Sequence, residues 1–190
     1  MKKGALTITQ TGMMLALIII SQYIGSLITA PIQGFIPIGQ LIAGSLVNMI
    51  LILSAYIVGL IPGIMIGIFS SILAQLLGIS KIPAMMPVIA FGNVLIVAVV
   101  WVFFKISKGN LKSTYTILGL ISGAGIKCAA IWILAQGLVI PALTQIPEKQ
   151  LTVMSMSFSW PQGITALIGG VMALIILPVL KKAIKKPNAI

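Results

Sequence analysis

The chain contains no histidine, no aspartate and no arginine, and a single acid (Glu148) and a single cysteine (Cys128) among 190 residues. Each absence removes a class of chemistry. Metal sites built from His, Cys and carboxylates need several such ligands, so none can be assembled within one chain. A Ser-His-Asp or Cys-His centre lacks its base. One cysteine allows no internal disulfide. No glycine-rich phosphate loop of the P-loop type occurs, so ATP is not bound that way. No carboxylate lies in an apolar run, whereas proton-coupled carriers commonly use intramembrane Asp, Glu or His. The inventory therefore argues against a self-sufficient enzyme or a proton-driven pump, and no cofactor is expected.

What is present is apolar. The chain is 59% hydrophobic and 7% charged, with a mean hydropathy of +1.22. No water-soluble domain has this composition; it is that of a polytopic membrane protein, read as one integral membrane domain over residues 1–190. Twelve lysines give a formal charge of +11. They cluster at the ends of apolar runs, which is a topology signal and not a nucleic-acid patch, with anionic membrane lipid as the natural partner.

Apolar runs and their breakers predict an all-α, six-helix transmembrane bundle, with helices at about residues 6–28, 41–58, 60–77, 85–104, 116–140 and 160–180. The lysines before the first run resemble a signal peptide. That run is long and no clear small-residue cleavage site follows it, so it is kept as helix 1. Nine lysines fall at the two ends of the chain and in the 105–112 loop, while the opposite side has Lys81 and Lys149. The positive-inside rule then puts both termini in the cytoplasm. The segment Thr29–Gln40, TAPIQGFIPIGQ, reads as an irregular loop because of Pro31, Gly34, Pro37 and Gly39. It is nonetheless hydrophobic, with Phe35 at its centre, and must be buried in protein or cover a cavity. A lid and a re-entrant connector are both consistent with it. Pro141–Ser159 reads as the longest loop, and the glycines at 59, 63 and 67 mark close helix packing.

Lys127 lies near the middle of the fifth run, where a lysine costs at least ~2.5 kcal/mol, so it is a functional-site candidate by default. Gly123, Ala124, Ala130 and Ile131 share its helix face, which suits a bundle interior. Snorkelling to an interface is the bland alternative, and the central position makes it awkward. Side-chain amides add a second pattern. Gln22, Asn48, Gln75, Asn93, Gln136 and Gln162 come one from each predicted helix, and all fall in the outer halves. Each alone could staple two helices. As a set, with Lys127 as floor, they predict a cavity opening outward, since amides facing lipid would lack partners. Trp132 and Trp160 could stack on a ligand ring or anchor the interface.

These features resemble the substrate-binding (S) components of energy-coupling factor (ECF) transporters over nearly the whole chain. The resemblance rests on the small-residue pair Gly12/Ala16, the hydrophobic first loop, Gly44-Ser45-Leu46-Val47-Asn48, Phe91-Gly92-Asn93 and Ser159-Trp160-Pro161-Gln162. It implies a non-enzymatic subunit of an ABC-type importer in a prokaryotic plasma membrane. Such a subunit captures a vitamin or vitamin precursor from outside, under the first loop, and docks on a transmembrane coupling subunit that carries two cytoplasmic ATPases. By the same resemblance Gly12 and Ala16 face the coupling subunit. The expected substrate site comprises Lys127, Asn48, Asn93, Gln162, Gln75, Trp160 and Phe35, and Lys127 hints at an anionic solute. A passive channel for a small solute and a non-transport assembly subunit are the rival readings.

Overall fold

A computed structural model describes residues 2–28, 31–32, 36–80 and 82–184. Residues 29–30 and 33–35 of the first loop, Phe35 among them, and Lys81 lie outside the described residues. Helix α1 spans Lys2–Leu27, α2 Ile38–Ile57, α3 Leu60–Leu76, α4 Met86–Ile106 and α5 Thr114–Leu134. A π-helical turn, Ala135–Val139, and a last turn, α6 (Ile140–Ala142), extend α5 outward. Then come α7 (Glu148–Ser157) and α8 (Trp160–Ile184). Helices α1, α2, α4, α5 and α8 are long and apolar enough to cross a membrane. Helix α3, at 17 residues, spans about 25 Å and sits at the short end of the crossing range. The all-helical bundle expected from the sequence is therefore the observed architecture.

Helix α2 is the hub. It packs against α1, α3, α4 and α8, while α5 closes the ring between α4 and α8. In the most apolar stretch of α2, 56% of residues are buried, against 11% in α1, which leans on the bundle from outside. The core is aliphatic and lies mainly toward the end holding the termini: Leu51, Ile52, Val97, Val100, Phe104 and Leu177 are buried. The outer faces carry exposed apolar side chains such as Leu17, Ile121, Ile133, Ile175 and Val179. In water these would be a large association-prone surface; in a bilayer they are the lipid face.

Two segments differ from the sequence reading. The first loop narrows to a two-residue antiparallel pairing, β1 (Pro31–Ile32) with β2 (Ile36–Pro37). Helix α2 then starts at Ile38, inside the segment read as irregular. Gly39 does not break this helix, because it is the contact point with α1. A Cβ there would meet the carbonyl oxygens of Gly25 and Ile28. The second correction is α7, a ten-residue helix within the predicted loop. Pro147 precedes it and Glu148 occupies its first turn, where a carboxylate suits the helix dipole. Leu151, Met154 and Phe158, spaced by three and four, form its apolar face and pack with Met85 and Ala135.

Candidate functional site

Lys127 is 3% exposed on α5. Its Nζ donates to Asn48 Oδ1 of α2 at 2.6 Å and to Asn93 Oδ1 of α4 at 2.7 Å. The two amides point their oxygens at the lysine because their nitrogens are engaged elsewhere. Asn48 Nδ2 donates to Gly44 O at 2.8 Å and to Thr165 Oγ1 of α8 at 3.4 Å. Asn93 Nδ2 donates to Gly67 O and Ser71 Oγ of α3, both at 3.4 Å. One buried network thus joins five helices. Each of its three central side chains is seated against a glycine on a neighbouring helix: the Lys127 stem on Gly92, Asn48 on Gly169 and Asn93 on Gly67. These close approaches let three polar side chains meet at bundle depth.

The charge on this network is not balanced by the chain. Glu148, the only acid, stands exposed at the start of α7. Among the described residues the ammonium has no ion-pair partner, and its third hydrogen has no acceptor. The two amide oxygens solvate the charge without neutralising it.

Lys127, Asn48 and Asn93 form the floor of a cavity of about 560 Å³. Its walls come from the last turns of α1, the first half of α2, the end of α3, the start of α4, α7 and the start of α8. All lie at the end of the bundle that the lysine distribution places outside. The lining is mostly apolar, including Ala43, Val47, Met86, Ile89, Met154 and Phe158. Around the rim, Gln40 Nε2 and Gln162 Nε2 both donate to the Ser157 carbonyl at 3.1 Å. They tie α2 and α8 to the open end of α7, whose last carbonyl would otherwise lack a helical partner. Gln22 also lines the cavity, and its Oε1 has no hydrogen-bond partner among the described residues.

Of the residues expected at the site, Lys127, Asn48, Asn93 and Gln162 line this cavity together. Gln75 does not. Ser71 and Ala74 occupy the lining face of α3, and the next position along turns about 100° away. Trp160 does not either; it is 55% exposed at the first position of α8, while Pro161 and Gln162 turn inward. Gln136 also leaves the amide layer, because it staples the π-helical turn to α7 through two bonds with Ser155 at 2.9 Å. Phe35 lies outside the described residues. The sequence reading missed Gln40, Ser71 and the inner face of α7. The i, i+3, i+7 spacing of Leu151, Met154 and Phe158 was the available signal for the last.

A family model described as ECF transporter, substrate-specific component, matches residues 6–181. The chain belongs to this family. No curated protein and no solved structure matches it. As an ECF S component it is a multi-pass membrane protein, a substrate-binding transporter subunit and not an enzyme, and it works with the ECF module of coupling subunit and ATPases. In this S component Gly12 and Ala16 are exposed on the inner half of α1, and a Cβ added at Gly12 meets nothing within 4 Å.

Proposed function

We propose that this S component captures a vitamin or vitamin-precursor-like small molecule from outside, in the cavity above Lys127, and pairs an anionic group of that molecule with the ammonium. The observation that carries this reading is the cavity itself. Its volume of about 560 Å³ is in the usual range for small-molecule sites. Its floor is a buried cation held in position by Asn48 and Asn93 and without a counter-ion in the chain. Gln162 contributes at the rim.

The same reading assigns the exposed Gly12/Ala16 face of α1 to the coupling subunit, because small residues let a partner helix approach closely. Energy for release then comes from the two ATPases of the module. The inner core is mainly aliphatic, with Ile52, Val97, Val100 and Leu177 buried and Ser54 and Thr116 bonded to backbone carbonyls, which supports an energised importer over a passive channel.

Native mass spectrometry of the full chain, gently purified from its own or a related host, tests the reading. The expected result is a co-purifying small molecule bound one to one. A chain that purifies empty would overturn it, and solute flux in liposomes without partner or ATP would put a passive channel in its place.

A further inference from the structure

The network at the cavity floor has a countable charge and a countable set of donors. Taken as an ammonium, Lys127 brings one positive charge; Asn48 and Asn93 bring none, and no acid of the chain lies among the cavity's described lining residues. Of the three ammonium hydrogens, two are committed to the asparagine oxygens, leaving one. The rest of the lining is largely apolar, with uncharged amides and hydroxyls at Gln22, Gln40, Gln162, Ser71 and Thr165. From these counts, and resting on the capture reading above, we infer that the substrate is a monocarboxylate. It accepts the one uncommitted Lys127 hydrogen through a carboxylate oxygen, and its remaining body is uncharged and mainly apolar.

The alternatives fail on electrostatics. A neutral molecule leaves the buried ammonium uncompensated. A dianion places a second charge against Val47, Ile89, Met154 or Phe158, where no second cation among the described lining residues offsets its desolvation. A cation repels Lys127 directly. A fork-shaped, two-bond grip on the carboxylate is also excluded, because two of the lysine's donors are already occupied. The carboxylate is thus held at a single point. Shape selection falls to the apolar wall, and the Oε1 of Gln22, which has no partner among the described residues, is an acceptor suited to a hydroxyl or amide N–H on the substrate body.

The test uses the molecule released from the purified full-length protein. Coupling its carboxyl groups to methylamine with a carbodiimide counts them by mass, and one coupling is expected. The released acid and its methyl ester are then titrated into emptied wild type and into Asn93→Asp. This variant keeps the size of the site and supplies an internal counter-charge to Lys127, while a carboxylate oxygen replaces the Nδ2 that donates to Gly67 O and Ser71 Oγ at 3.4 Å. Wild type should bind the acid roughly 10- to 100-fold more tightly than the ester. Asn93→Asp should lose a similar factor for the acid and little for the ester. A released molecule with no carboxyl group, or with two, overturns the inference while leaving capture intact. So does equal binding of acid and ester to wild type, or unchanged acid binding by Asn93→Asp. A wild-type chain that carries no molecule overturns the capture reading itself, and this inference with it.

Discussion

The two ends of the bundle hold hollows of similar size and opposite character. The outer one, about 560 Å³, has Lys127 buried at its floor between two amide oxygens. The inner one, about 500 Å³, is lined by Tyr56, Trp101, Phe104, Lys105, Lys108 and Gly109. There the lysines are exposed: Lys105 lies 5.3 Å from the centre of the Trp101 ring, and Lys108 sits in the left-handed turn that ends α4. Both regions are cationic, yet only one has the character of a capture site. A solvated ammonium at an interface is already stabilised by water and lipid phosphate and gains little from a specific partner. A buried one gains a great deal. Burial of the lysine, and not its presence, separates the two ends.

The largest effect should come from removing the buried charge. Lys127→Met is expected to weaken substrate binding by at least ~30-fold, since loss of one partner of a buried charge pair costs ~2–5 kcal/mol. Calorimetric titration of the folded variant checks it, and unchanged affinity would take Lys127 out of the site. Next comes the separation of capture from coupling. Gly12→Leu or Ala16→Leu, on the inner half of α1, should abolish ATP-driven uptake in vesicles containing the whole ECF module. Substrate affinity should stay within about 2-fold, because neither residue touches the cavity. Loss of binding in these variants would break the division between an outer capture half and an inner coupling half.

Packing at the inner end should matter for stability alone. Leu177 is fully buried in the aliphatic core. Leu177→Ala should cost about 1–3 kcal/mol, read as a lower unfolding midpoint in detergent. That is less than many soluble Leu→Ala changes, since lipid removes much of the transfer penalty and leaves mainly the lost contacts. Binding should be unaffected. The smallest effects belong to the inner lysines. Lys181 donates to the Gly109 carbonyl at 3.3 Å and stands 5.9 Å from the Tyr56 ring. Lys181→Met should shift stability by less than about 1 kcal/mol, and Lys105→Gln should leave substrate affinity unchanged. A large loss of affinity from either would erase the contrast between the two hollows.

Much of this contrast is legible in the chain before any fold is known. Lys127 stands out because an ammonium in a long apolar run has few explanations. Asn48 and Asn93 stand out because outer-half amides on different helices have to meet something other than lipid. The spans follow from run length and from breakers such as Gly59 and Pro62. What the sequence could not resolve is angular position. Gln75 directly follows Ala74 on α3, and one position, about 100° of helix rotation, decides which of them faces the cavity. Trp160 beside Pro161-Gln162 is the same problem at the first turn of α8. Helix α7 was hidden for another reason. It is short and only weakly apolar, and its structure depends on packing over Met85 and Ala135, contacts that exist only once the bundle has formed. Gly39, read as a helix breaker, became a helix contact because Gly25 lies opposite it.

The most direct measurement compares the native mass spectra of wild type and Lys127→Met, purified in parallel from the same host. The outer-cavity account predicts a bound small molecule on wild type and a folded, empty variant. The same molecule at equal occupancy on both would contradict it.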